Sequence, residues 1–179
     1  SLTLMSQLYI ALPFALLNTL SFFAVSYGYG DSGVLYNPIF TLSIFIFIWS
    51  SDSGAYCFGS WLGQRKLFPR ISPNKSWEGV IGGALVSIIA SQIIACYSHD
   101  FSADNSWLNH IEWAGLAIIV VTFGTWGDLV ESLLKRRLAI KDSGALLPGH
   151  GGMLDRFDSS LLAIPAAVVY IYIVNSISL

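Results

Sequence analysis

Charge is what this sequence lacks most. Lys, Arg, Asp and Glu together fill 11% of its 179 positions, where a soluble domain typically carries about 25%. Hydrophobic residues make up 54% and mean hydropathy is +0.64. Too little charge remains to cover a water-exposed surface, which excludes an ordinary soluble globule, and no nucleic-acid partner is expected. Cysteine is as scarce: Cys57 and Cys96 stand without the spacing of a disulfide framework or a zinc site. They read as inert, by analogy with the usual burial of free cysteine. Repeats and low-complexity linkers are also missing, so residues 1–179 read as a single membrane domain.

What is present is a series of long apolar stretches. About 20 apolar residues cross a hydrocarbon core of about 30 Å, and five stretches qualify: 6–27, 34–51, 79–98, 110–127 and 159–179. The expected fold is therefore all-α, a polytopic helical integral membrane protein with about five transmembrane helices. Pro13, Asn18 and Pro165 interrupt these stretches and predict kinks. The first stretch lacks a preceding basic region and is too long for a signal peptide, so it reads as a span. Gly59 with Gly63, and Gly79 with Gly83, place small residues at helical spacing, which allows close helix packing within one bundle or in a homodimer.

All nine basic residues fall in two connecting regions: Arg65, Lys66, Arg70 and Lys75, then Lys135, Arg136, Arg137, Lys141 and Arg156. The loops at 28–33 and 99–109 hold Asp31, Asp100 and Asp104 and no basic residue. With five spans the two basic regions share a side, and the positive-inside rule assigns that side to the cytoplasm. Trp49, Trp61, Trp77, Trp107, Trp113 and Trp126 lie near span ends, where an aromatic belt would place them.

The first basic region follows Asp52, which is expected at the inner end of the second span, where a carboxylate is costly unless paired, hydrated or bound to a cation; its bland reading is a helix-capping or solvated residue. Further on, Ser76 and Glu78 suit the start of the next helix as cap and first-turn acid. That explanation leaves Lys75 over. In the second region, apolar positions 129, 130, 133, 134 and 138 keep helical spacing, so the fourth span is expected to continue into the cytoplasm. Its order, Asp128 and Glu131 before Lys135, Arg136 and Arg137, would also arise from helix electrostatics alone. Beyond Asp142, glycines at 144, 149, 151 and 152 with Pro148 form a turn whose backbone NH groups can approach phosphate closely. Asp155 and Asp158 come next and would share one side of a helical turn. With Asp128 they could hold Mg²⁺, which takes hard oxygen ligands and usually keeps waters and substrate phosphates.

Ser132, Lys135, Arg136, Lys141, Asp142, Gly144, Pro148, His150, Gly151, Gly152, Asp155, Arg156 and Asp158 together match, at the correct spacing, the signature of the phosphatidate cytidylyltransferases, or CDP-diacylglycerol synthases. "SPNKSWEGVIGG" is similar to a second block of that family, departing at Asn74 and Ser76, where Lys and Thr are usual, and "GDLVES" resembles its pre-signature segment. The resemblance runs from Asp52 to Asp158, centred on 128–158, and the first two spans add little to it. Family members usually have further N-terminal spans, so the chain is expected to be the C-terminal part of a longer member.

The resemblance implies an enzyme of phospholipid biosynthesis in the bacterial inner (plasma) membrane. Its active site would face the cytoplasm, built from the helix extension and loops. There the cytidylyl group of CTP would pass to phosphatidate, a membrane lipid, giving CDP-diacylglycerol and pyrophosphate. Asp128 and Asp155 are the expected main metal ligands, with Asp158 and Asp52 as weaker candidates. The cation would be Mg²⁺ or Mn²⁺, with room for a second such as K⁺. Lys135, Arg136 and Lys141 join the two aspartates as catalytic candidates, and Ser72, Lys75, His150, Gly151, Gly152 and Arg156 are assigned to substrate binding. A phosphate monoester carries about −1.5 to −2 charge near neutral pH, so the nucleophile arrives ionised and needs no general base. Two rivals are a CTP-dependent lipid kinase, which must activate an alcohol, and a noncatalytic transporter or scaffold. Against the latter, the charges cluster at one face instead of lining the spans at mid-depth. A CDP-alcohol phosphotransferase ranks last, because its closely spaced run of four aspartates is missing.

Overall fold

A computed structural model describes residues 2–22, 38–98, 106–138, 140, 152 and 154–177. Five helices dominate: α1 (Leu2–Ser21), α2 (Ile39–Leu62), α3 (Trp77–Tyr97), α4 (Ser106–Arg137) and α5 (Asp158–Ile177). Strands β1 (Lys66–Phe68) and β2 (Ser72–Ser76) join α2 to α3, and a single 3-10 turn, Leu154–Arg156, precedes α5. Among the described residues, four helices are long and apolar enough to cross a membrane: Ile39–Leu62, Trp77–Tyr97, Trp107–Arg137 and Asp158–Ser176. The apolar part of α1, Gln7–Ser21, is shorter, and the span expected at 6–27 runs into residues outside those described. Helices α1 and α5 continue through Pro13 and Pro165.

Helix α3 shows which solvent the bundle was built for. Its inward face is small and polar, with Gly79, Gly82, Gly83, Ser87, Ser91 and Ala95 buried, while Ile81, Leu85, Ile89 and Ile93 point outward. In water that arrangement would waste the apolar side chains. In lipid it brings backbones together and leaves large residues against acyl chains. The two glycine pairs expected to permit close packing lie at the α2–α3 contact: a Cβ on Gly79 would lie 2.9 Å from the Ala55 carbonyl oxygen, and one on Gly83 would lie 2.5 Å from that of Ser51. Because the pairs are used within the chain, they carry no argument for pairing of two copies.

Three expectations are corrected. Asp52 does not end α2, which runs ten residues further to Leu62 because the glycine face of α3 packs along it. Trp113 is fully buried instead of belonging to a belt, stacked on Phe40 at 5.6 Å and edge-on to Phe47 at 6.4 Å, while the other five tryptophans face outward. Cys57 and Cys96 are free thiols, as expected, but both are exposed. The core joins Phe40, Ile44 and Phe47 of α2 to Trp113, Leu116 and Val120 of α4 and to Ile164 and Ile171 of α5. Buried Asn109 links α4 to the end of α3, donating to the carbonyls of Ala95 (3.1 Å) and Ser98 (2.7 Å).

Candidate active site

At the end of the bundle where α2 stops and α5 begins, one side of α4 gathers Asp128, Glu131, Ser132 and Lys135, spaced three or four residues apart as one helix face requires. The helix extension expected from the sequence is therefore present, and it is continuous with the apolar part of α4.

The hairpin delivers Lys75 to this face. β1 and β2 pair antiparallel with Lys66 opposite Ser76 and Phe68 opposite Ser72. The base is tied twice: the Trp77 amide donates to the Arg65 carbonyl at 3.0 Å, and the Arg65 amide donates to the Glu78 carboxylate at 3.2 and 3.3 Å. Ser76 caps α3 as expected, its Oγ accepting from the Gly79 amide at 3.2 Å. Held this way, Lys75 forms an ion pair with Asp128 Oδ2, while Ser132 Oγ donates to Asp128 Oδ1 at 3.2 Å. The lysine that capping left unexplained thus joins the two basic regions. Ser76→Ala should cost about 1 kcal/mol through the lost cap, measurable as a lowered thermal midpoint in detergent.

Asp155 is fixed from two directions. Lys135 Nζ donates to its Oδ1 at 2.8 Å, and the Gly152 amide donates to its Oδ2 at 2.7 Å. Gly152 was expected to offer its NH to a substrate phosphate; here that NH is used on the carboxylate. Lys135 also lies 3.3 Å from Glu131 Oε1. Asp158 opens α5, with Oδ1 accepting from the Ser159 amide at 2.6 Å. Asp155 comes from the 3-10 turn and Asp158 from the start of α5, so the two do not share one α-helical turn.

Two cavities adjoin these groups. One, of about 370 Å³, is lined by Asp52, Asp128, Asp155 and Asp158 together with Arg156. The other, of about 300 Å³, lies among α2, β2, α3 and α4 and is lined by Ser51, Ser72, Lys75 and Thr125. Asp52, Ile48 and Ser159 border both. The second span therefore contributes more than the sequence resemblance indicates, because α2 supplies a wall to each cavity. Arg136 is exposed and lines neither. Lys141, His150 and Gly151 lie outside the described residues.

Four carboxylates around one cavity form a hard-oxygen donor set. Among the described residues no three Asp, Glu, His or Cys side chains converge as a ready-made metal cage. That combination fits a small divalent cation held by one or two carboxylates, with waters and substrate phosphates completing its shell. Asp128 and Asp155 each now face a lysine ammonium, so both already stabilise positive charge at the positions where a cation would bind.

Glu131 was passed over as part of a helix charge pattern. Its signal was the spacing 128, 131, 135, which puts it on the same face as the two candidates.

Comparison with known proteins identifies the family of the chain. Residues 2–174 match the family described as the cytidylyltransferase family. A protein named phosphatidate cytidylyltransferase from Staphylococcus aureus (strain COL) is 47% identical over 126 residues, covering 70% of this chain and 46% of that protein. The protein of the same name from Staphylococcus haemolyticus is 48% identical over 126 residues, with the same coverage of each chain. That from Haemophilus influenzae is 43% identical over 131 residues, covering 73% of this chain and 45% of the relative. The chain spans about half the length of the curated relatives it matches.

Proposed function

Because the chain belongs to the cytidylyltransferase family, we propose that it takes part in transferring the cytidylyl group of CTP to phosphatidate. A phosphate oxygen of phosphatidate would attack the α-phosphorus of CTP, the bond from that phosphorus to the bridging oxygen would break, and pyrophosphate would leave with the electron pair. The observation that carries this reading is the meeting of Asp128, Asp155 and Asp158 with Lys75 and Lys135 at one end of a lipid-facing bundle.

The nucleophile is already an anion, so the residues have no proton to remove. Their task is to bring two polyanions together. Asp128 and Asp155 would hold Mg²⁺ or Mn²⁺, with Asp158 and Asp52 near enough to the same cavity to support it or a second cation such as K⁺. Bound there, a divalent cation neutralises phosphate charge and fixes in-line geometry. Lys75 and Lys135, released from their carboxylates, would turn to phosphate oxygens, and Arg156 already borders the cavity. Ser72 and Lys75 line the neighbouring cavity and suit the lipid phosphate or the nucleotide. Lys141, His150, Gly151 and Arg136 remain candidates for further phosphate contacts. The acyl chains would stay among the outward-facing apolar side chains while the headgroup reaches the site. Both basic regions converge at this end of the bundle, which supports a cytoplasmic face by the positive-inside rule. The bacterial relatives support a plasma-membrane location.

The deciding experiment uses CTP labelled with ³²P at either the α or the γ position. Protein expressed from its complete reading frame is supplied with phosphatidate vesicles and Mg²⁺. The α label should enter the organic phase while the γ label stays in aqueous pyrophosphate. A γ label in lipid would instead mean a kinase, and no label in lipid from folded protein would overturn the proposal.

A further inference from the structure

Glu131 is the most deeply buried ionisable side chain at the site, 2% exposed. A carboxylate so placed is costly unless a cation balances it, and an apolar residue would pack there without that cost. Lys135 Nζ is 3.3 Å from Glu131 Oε1, close enough for strong attraction. The contact is an ion pair outside strict hydrogen-bond geometry, and Asp155 also lies close enough to Glu131 to interact with it. The same ammonium donates to Asp155 at 2.8 Å. One lysine is therefore shared between two carboxylates, of which Asp155 borders the carboxylate-lined cavity and Glu131 does not. From α1, the Tyr9 hydroxyl is also buried without a hydrogen-bond partner and within electrostatic reach of Glu131 and Asp158.

We propose that Glu131 is a positioning residue: its buried carboxylate anchors Lys135, so that the ammonium keeps its place beside the cavity when Asp155 is engaged elsewhere. The asymmetry of the two partners supports this. If Asp155 alone held Lys135, turning that carboxylate toward another cation would leave the lysine free to swing into solvent. With Glu131 behind it, the ammonium retains a second, buried partner and can face a phosphate oxygen. The inference rests on the reading that Lys135 meets the phosphates of CTP.

The test is a double-mutant cycle read by equilibrium CTP binding, in Mg²⁺ and without phosphatidate, on the protein from its complete reading frame. Glu131→Gln keeps the shape and removes the charge, and should weaken CTP binding about tenfold to a hundredfold, by analogy with loss of a residue that orients a metal ligand. In a Lys135→Met background the same substitution should change binding by less than about twofold, since residues acting through one another are not additive. Equal losses in both backgrounds, or wild-type binding by Glu131→Gln, would overturn the inference. If the amide variant is not recovered folded, Glu131→Asp takes its place: it keeps the charge, shortens the reach and should show a smaller loss with the same dependence on Lys135. Wild type that binds no CTP would sink the underlying reading as well, which separates that failure from one confined to Glu131.

Discussion

Asp155→Ala should lower cytidylyl transfer by about a thousandfold or more, because removing charge stabilisation worth several kcal/mol at the reacting phosphates costs tenfold in rate for each 1.4 kcal/mol or so. The expectation follows from how this carboxylate is held. One oxygen accepts from Lys135 and the other from the Gly152 amide, so it is oriented before any substrate arrives. It also borders the cavity shared with Asp52, Asp128 and Asp158. Asp155→Asn separates charge from shape, since the amide can still accept a hydrogen bond through one oxygen yet carries no charge. It should be nearly as inactive as the alanine variant while melting closer to wild type. Asp128→Asn should behave alike, with Lys75 losing its counter-ion. The measurement is the initial rate at which α-labelled phosphate enters lipid, alongside thermal unfolding of each variant. Activity of Asp155→Asn within tenfold of wild type would assign that carboxylate to holding Lys135 and the turn, and would remove it from the chemistry.

Much of this site was legible because membrane helices leave few places for charge. Once the apolar stretches are set aside, the basic residues fall into two segments, and both prove to meet at one end of the bundle. Lys75 stood out by elimination, after Ser76 and Glu78 had been explained as helix-start residues, and it does reach α4. Residues whose roles depend on tertiary packing were harder to read. The continuation of α2 through "SSDSGAYCFGSWL" is rich in serine and glycine, poor helix formers, and its helicity rests on α3 packing against Gly54 and Gly59. The hairpin was missed because Pro73 and Asn74 are unfavourable in strands, and it is the ties from Arg65 to Trp77 and Glu78 that hold it. Trp113 sits near a span end in sequence, yet Phe40 and Phe47 of α2 enclose it. Glu131 shared a helix face with known candidates, but burial is what distinguishes it, and charge order along the helix already accounted for its presence.

Gly83→Val should be among the most destabilising single substitutions in this chain. A Cβ at Gly83 would lie 2.5 Å from the Ser51 carbonyl oxygen and 3.3 Å from the Ala55 amide nitrogen. Both are backbone atoms of α2, so no side-chain rotation relieves the clash. On the other side, a Cβ at Gly54 would come within 2.9 Å of Gly83 Cα, so the two helices are already at their limit of approach. Overpacking of this kind costs roughly 1–3 kcal/mol and sometimes more, and valine should exceed alanine here because its branch adds volume against a rigid surface. The effect should reach function too, since Ser51, Ala55 and Gly83 line the same cavity as Lys75. Pushing α3 away from α2 would widen that cavity and shift the hairpin that delivers Lys75 to Asp128. Gly124→Ala is the control: its Cβ would meet Ser159 Cβ at 3.7 Å, an ordinary contact, so stability should hold. Thermal midpoints of both alanine variants in detergent decide the matter. If Gly83→Ala melts with Gly124→Ala, the helices can separate without loss, and the packing that sets the width of that cavity must come from elsewhere in the bundle.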